Sequence, residues 1–345
     1  MDFDFSFEQT QLAGSVGRML DGFQTVTDGP PFPYPAGDVV KAAADVGLFA
    51  TEDGRSLLGH VDAVAAAYEI GRRLPAAPLT EMLAAALGLV STDARVDAAL
   101  SEGATIGVAV AGGLRMGGGG ADGRLLVSFA ADAALVVAPC EKDGQTGWLA
   151  LDPAQATSEP AEVLDITTDA RWLCFANAPI DQGNRPDSGR FDDALRLLVL
   201  AEMAGAAAEC LATTVAYVKE RKQFDKPVGS NQAVKHMAAS AATALEAMKA
   251  AVEYAAWSFD QAPGDDPRAL VEARLALLTA RSFVGDNAKT IAEHCVQMHG
   301  GIAFTWDYGL HRYLKRIAYR RGTLAGPREA RVILAGTLLE DALAM

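Results

Sequence analysis

The stretch ERKQFDKPVGSNQ, residues 220–232, sets Arg221, Lys222, Gln223, Phe224 and Gln232 within thirteen positions. A guanidinium grips a pyrophosphate bidentately, an aromatic ring covers a base or a ribose, and an amide at the start of a helix lies where anions are favoured. Together they suit a dinucleotide. A plainer reading uses the same residues: Arg221 and Lys222 offset the dipole at a helix C-terminus while Phe224 packs in the core. Spacing alone leaves both readings open.

Further on, QMHGG supplies Gln297, His299, Gly300 and Gly301 where a helix should stop. The two glycines give the left-handed C-cap and let another backbone come close, so Gln297 faces whatever approaches; the alternative is a helix stop with a polar neighbour. His299 reads as a capping or interface histidine. Phe304, Trp306, Tyr308 and Tyr313 read as core. Asp193 and Arg196, three apart at the start of another helix, read as a dipole-compensating acid and a solvated i,i+3 pair. The glycine cluster Gly112 to Arg124 lacks the GK[ST] ending of a phosphate loop and opens no helix, so a flexible turn between strands is expected.

Whole-chain properties remove several function classes. A formal charge of −14 and a pI of 4.8 exclude a backbone-neutralising nucleic-acid binder or a protein of anionic membrane surfaces. Cys140, Cys174, Cys210 and Cys295 show neither disulfide-framework nor metal-ligand spacing, so no metal site is expected. The N-terminal MDFDFSFEQT has no apolar h-region, which predicts no secretory signal and a reduced, cytoplasmic setting. The apolar run Leu197 to Val218 contains Glu202 and Glu209, so it predicts a buried helix and no membrane span.

Periodicity divides the chain in three. Residues 1–102 are helical, with Phe7, Leu12, Val16 and Leu20 on one face. Residues 103–187 hold short strands, TIGVAV, RLLVSF, ALVVAP, WLALD and RWLCFA, separated by Gly, Asp and Pro. Residues 188–345 form four long helices. The first runs from Arg190 to about Lys222, and the second from Asn231 to Phe259 with Ser230 as N-cap. The third starts at Pro267 and carries Leu270, Leu277, Val284, Ile291 and Cys295. The fourth lies between Tyr308 and Ala344. The class is mostly α with a β middle domain.

These parts, in this order, resemble the acyl-CoA dehydrogenase family from end to end: an N-terminal helical domain, a small β-barrel-like domain and a C-terminal four-helix bundle. The family's R-x-x-F-G-x-x-x-x-x-x-Q stands here as Arg221, Phe224 and Gln232, with Asp225 at the usual glycine. Its Q-x-x-G-G stands as Gln297, Gly300 and Gly301. The resemblance implies that these residues, with Gln223, hold the ADP half of an FAD seated in a neighbouring subunit. It also implies that Asp193 and Arg196 meet the acyl-CoA substrate. The implied reaction is α,β-dehydrogenation of a thioester, with a carboxylate as base and FAD as hydride acceptor.

The family's glutamate base falls on Leu195 or Leu324 here, and neither accepts a proton. Glu202, the nearest acid on the first helix face, is two turns away, and Arg320 and Arg321 crowd the second position. No catalytic residue is assigned. The family's flavin-holding Y-x-x-[TS]-E-P and W-x-[TS] strands are replaced by GVAVAGGLRMGGGGADGRLLVSFAA, in which Ser128 is the one candidate hydroxyl. In this the chain is similar to the small, degenerate subunits of actinobacterial acyl-CoA dehydrogenases, which pair with a catalytic homologue as α2β2 heterotetramers on steroid side-chain thioesters. An electron-transfer flavoprotein is the implied acceptor. Two other readings are a self-sufficient homo-oligomeric dehydrogenase with a relocated base (Glu202 or Asp193) and a non-catalytic acyl-CoA-binding scaffold.

Overall fold

The computed structural model describes residues 5–23, 34–117, 120–142, 144–180, 189–262 and 266–344, with side chains as far as 337. Helix α1 (Phe7–Leu20) opens with a capping box, the Ser6 hydroxyl accepting from Gln9 N–H and the Gln9 side chain accepting from Ser6 N–H. Val16 and Leu20 are buried as the pattern predicts. Phe7, expected on the same face, is 74% exposed because the first turn projects beyond the core.

Next come α2 (Ala36–Asp45), a two-residue hairpin of β1 (Thr51–Glu52) and β2 (Arg55–Ser56), α3 (His60–Arg73), α4 (Leu79–Gly88) and α5 (Ala94–Ser101). The six-stranded sheet follows: β3 (Ile106–Gly117), β4 (Gly120–Ser128), β5 (Leu135–Lys142), β6 (Gln145–Leu151), β7 (Ala156–Ala161) and β8 (Ala170–Pro179), in the order β6-β5-β3-β4-β8-β7. Only the β3–β5 pair is parallel. The glycine cluster is a correction to the expected flexible turn, for most of it is ladder, paired from Gly112↔Leu125 to Gly117↔Gly120. A Cβ on Gly112 would lie 2.1 Å from the Arg124 carbonyl oxygen, and Gly112 is left-handed, so glycine is what lets the two strands close there.

The C-terminal helices are α6 (Arg190–Glu220), α7 (Gln232–Gln261), α8 (Pro267–His299), α9 (Leu310–Arg320) and α10 (Pro327–Ala344), with a tiny hairpin, β9 (Lys222–Gln223) and β10 (Lys226–Pro227), between α6 and α7. The expected fourth helix is therefore two. A π turn at Arg321–Ala325 and left-handed Gly326 interrupt it, and Pro327 begins again at a position that needs no N–H. Asn231, not Ser230, occupies the N-cap of α7, because Val228–Ser230 is already a 3₁₀ turn.

Sheet alternation splits the core in two. Ile106, Val108, Val110 and Val137 face the helices, while Ala109, Leu125, Val127, Val136 and Phe175 pack on the other side. The helices before the sheet share one core with those after it. Helices α3 and α6 cross almost backbone to backbone: a Cβ on Gly71 would sit 1.9 Å from Glu202 O, and one on Gly205 would sit 2.0 Å from Tyr68 O. Helices α6 and α8 run in the same direction, since Asp193 near the start of α6 binds Arg274 near the start of α8 at 2.8 Å and, further along both, Thr214 Oγ1 lies 3.4 Å from His299 Nδ1.

A buried ion network joins these layers. Arg316 on α9 bridges Asp165, in the loop before β8, and Glu202 on α6 at 2.5 Å; Arg320 bridges Glu202 at 3.0 Å and Glu81 on α4 at 2.5 Å. All five side chains are essentially inaccessible. Burial pushes the Asp165 and Glu202 carboxyls up, but the arginine charges beside them outweigh it and hold both below the usual carboxylate range. Removing one partner strands the others, so Arg320→Met is expected to cost about 3–5 kcal/mol. Urea unfolding measures it, and an unchanged midpoint would show that the network is not structural.

Candidate functional site

Two places carry the chemically informative residues, and α6 separates them. At its N-terminus a cavity of about 390 Å³ lies against the middle of β3, the β5–β6 hairpin and the π turn, lined among others by Val110, Ala111, Trp148, Asp192, Arg196 and Leu324. Trp148 stands edge-on to Phe191 at 4.9 Å, which fixes one wall. Arg196 donates to Asp192 at 2.6 Å and to the Leu324 carbonyl at 2.9 Å. The expected Asp193–Arg196 pair does not form. Asp193 turns toward α8 and binds Arg274 at 2.8 Å, so the lining carboxylate is Asp192, one position earlier.

None of these groups is a free base. Leu195 is buried, Leu324 presents carbon to the cavity, and Asp192 is held by Arg196. Glu202 is locked between two arginines, and Arg321 is turned to Asp286 at 2.6 Å. Ser128 is fully buried, with its hydroxyl 3.0 Å from that of Tyr319. A hydroxyl so placed is not available to a ligand. Pairing with Tyr319 gave no sequence signal, because 191 positions separate the two residues.

The second place is the C-terminal end of α6, 24 residues beyond Arg196 and roughly 36 Å away along the helix at 1.5 Å per residue. The same end of the bundle holds the first residue of α7, Gln232, and the end of α8, because Tyr217 on α6 stacks on His299 at 4.4 Å. Arg221, Gln223 and Gln232 are exposed, and the Arg221 guanidinium has no ion pair among the described residues. Phe224 is 96% exposed rather than packed in the core, and both it and Asp225 are left-handed, as a two-residue hairpin turn demands. An aromatic ring held in a strained, solvated turn is what a missing neighbour would explain.

Gln297, Gly300 and Gly301 form a lip beside it, all exposed. Gly300 is left-handed and closes α8; Gly301 is not, and a Cβ there would meet nothing within 4 Å. Nothing in this chain requires glycine at 301. Phe304 and Trp306, expected in the core, are exposed near this lip, whereas Tyr313 is buried as expected. The His299 ring nitrogen Nδ1 donates to the Cys295 carbonyl at 2.9 Å, and burial holds the imidazole below its usual range, so it is a neutral support behind the lip. Cations, a flat ring and open glycines suit an anionic, ring-bearing ligand.

Residues 190–334 match the family model described as acyl-CoA dehydrogenase, C-terminal domain. Acyl-CoA dehydrogenase IpdE2 of Mycobacterium tuberculosis is 32% identical over 271 residues, 78% of this chain and 74% of that protein. Acyl-CoA dehydrogenase FadE34 of the same organism is 32% identical over 300 residues, 84% of this chain but only 40% of that longer protein. Among solved structures, a chain of the ChsE4–ChsE5 complex from Mycobacterium tuberculosis superposes with a TM-score of 0.84 at 20% identity, each chain covered to 99%. A chain of the Tcur3481–Tcur3483 steroid ACAD does so with 0.80 at 22% identity, covering 97% of this chain and 99% of that one. Both show the fold. Among the described residues no helix is long and apolar enough to cross a membrane, and no group of ligating side chains could hold a metal.

Because Phe224 touches so little of its own chain, Phe224→Ala is expected to leave the stability of the isolated chain within about 0.5 kcal/mol of wild type, where a core phenylalanine would cost 3–5. A urea titration decides between the two.

Proposed function

This chain belongs to the acyl-CoA dehydrogenase family, and on that premise we propose that it is the cofactor-completing subunit of a heteromeric enzyme that dehydrogenates an acyl-CoA thioester. One observation carries the reading. The exposed set Arg221, Phe224, Gln232, Gln297 and Gly301 lies a full helix away from a cavity with no free base among the described residues of its lining. Residues that cannot serve their own cavity serve a neighbour's.

In the complete enzyme a bound FAD would supply the hydride acceptor for the β-carbon, and a carboxylate would be needed to take the α-proton. Arg221 would grip its diphosphate, Phe224 would cover the adenosine, and Gln223, Gln232, Gln297 and the glycine lip would line the approach of the neighbour's backbone. The residues present fit that half of the cofactor. They offer the ring half less in this chain: the Ser128 hydroxyl is bonded to Tyr319, β3 gives the cavity no polar side chain, and the hydroxyls in the lining are those of Thr146 and Thr323.

Arg196, held by Asp192 and the Leu324 carbonyl, would set the shape of the thioester end of this cavity; Asp193 is withdrawn from it. The base would come from the partner, a catalytic homologue, in an α2β2 assembly with one FAD for every two chains. In that assembly residues 1–102, 103–187 and 188–345 are the helical, strand and bundle domains of the subunit. The complexes named among the structural neighbours support a heteromer, and the steroid label on one of them supports a steroid side-chain thioester as substrate. An electron-transfer flavoprotein as acceptor rests on family membership.

Replacing Arg221 by Ala in the co-expressed complex should leave assembly intact and weaken FAD binding roughly tenfold to a hundredfold, the worth of about 1.5–3 kcal/mol for a charge-assisted contact. Flavin absorbance against protein during dilution measures it. Unchanged occupancy would remove Arg221 from the cofactor site and the proposal with it.

A further inference from the structure

The last turns of α6, the turn at 227–230 and the first turns of α7 enclose a groove of about 520 Å³. Its lining is apolar: Val215, Val218, Pro227, Val234 and Ala238. Lys219 and Lys235 stand at its edges, exposed, and neither side chain has an ion-pair or hydrogen-bond partner among the described residues.

The sequence of α7 shows that the groove is one end of a longer stripe. Its buried residues run Ala241, Leu245, Met248, Val252, Ala255 and Phe259, the spacing of one helix face against its own chain. Stepping back from Ala241 by three and by seven gives Ala238 and Val234, so the same face continues through the first nine residues of the helix. None of those nine is buried. Val234, Met237 and Ala238 pack on the chain's own core but stay half-exposed, so this end of the stripe is only partly covered.

Charge narrows the occupant. Between 219 and 235 stand five cations, Lys219, Arg221, Lys222, Lys226 and Lys235, against two acids, Glu220 and Asp225, on a chain whose formal charge is −14. A second copy docking isologously would set these cations against themselves, which costs association. An acidic surface would gain from them.

We propose that this groove seats a helix of the neighbouring, flavin-bearing subunit, one that presents an apolar side chain every third or fourth residue with Asp or Glu on its flanks. The proposal rests on the reading above, because Gln232 opens the helix whose first turns line the groove, Phe224 stands in the hairpin leading to Pro227, and both would reach a neighbour's cofactor only when the neighbour packs on this end. It adds a specific seat and the charge of what fills it.

The test is assembly of the co-expressed complex, followed by analytical ultracentrifugation across a salt series, for wild type, Lys219→Glu with Lys235→Glu, and Ala238→Trp. Both lysines are exposed and unpaired, so the double reversal should not disturb the fold, and far-UV circular dichroism of each lone variant checks that. The reversal is expected to weaken the heteromer roughly tenfold or more and to remove the salt dependence of its assembly. Ala238→Trp, which fills the groove without changing charge, should weaken it while leaving the salt dependence in place. FAD per assembled heteromer should not change in any variant, which separates this seat from the Arg221 contact. Unaltered assembly in both variants would overturn the proposal even with the Arg221 result intact. So would a wild-type lone chain that dimerises through this face and is made monomeric by the reversal, or one that carries a bound fatty-acid anion lost in Ala238→Trp; the occupant would then be a second copy or a small amphiphile.

Discussion

Arg316 and Arg320 are the pins on which the arrangement of layers depends. Two successive turns of α9 send guanidinium groups into a space where α4, α6 and the loop before β8 each contribute a carboxylate, and every member is out of solvent. Two cations against three carboxylates have little latitude in a medium that screens poorly, so the relative placement of the three elements is closely defined. The glycine crossing of α3 on α6 acts in the same direction, since a single Cβ at Gly71 or Gly205 would force the helices apart. The same network removes Glu202 from chemistry. An acid that ties the fold together cannot also exchange protons with a substrate.

A fixed α6 then sets the geometry of function. Its N-terminal turn borders the chain's own cavity and its C-terminal end bears Arg221 and leads into the exposed Phe224 hairpin, with a continuous helix between. In a self-sufficient enzyme each end would serve the same kind of site in a different subunit. Here the ends have diverged: the outward-reaching end keeps Arg221, Phe224, Gln232 and the glycine lip, whereas the cavity end has Leu324 turned to the cavity and Ser128 bonded to Tyr319. The proposed completing subunit would need only the outward end, a scaffold neither end, and an ordinary dehydrogenase both.

Much of this was legible in the sequence. The face of Phe7, Leu12, Val16 and Leu20, the Pro267 start of α8 and the seven-residue recurrence of Leu277, Val284 and Ile291 gave helices close to those observed. The segments 220–232 and 297–301 stood out by residue type and spacing, although each also had a plainer helix-end reading. What local patterns do not carry is partnership across the chain. Asp193 and Asp192 are equally plausible beside Arg196 on paper; the direction of α8 and the position of Arg274 decide that the first turns away. The break between α9 and α10 hides in ordinary helix formers, because a π turn costs no special residue until Gly326. Phe304 and Trp306 were expected inside because aromatics usually are, and they lie outside, on the exposed segment that follows Gly301.

The central claim is that this chain completes a flavin site it does not itself contain. The measurement that bears on it most directly is the ratio of FAD to chains, by absorbance and amino-acid analysis, for the chain purified alone and for the chain co-expressed with a catalytic homologue. The account predicts a colourless lone chain and a yellow complex near one FAD for every two chains. A yellow lone chain near one FAD each would contradict it, and would mean that the sheet face behind Tyr319 opens to admit the flavin ring after all.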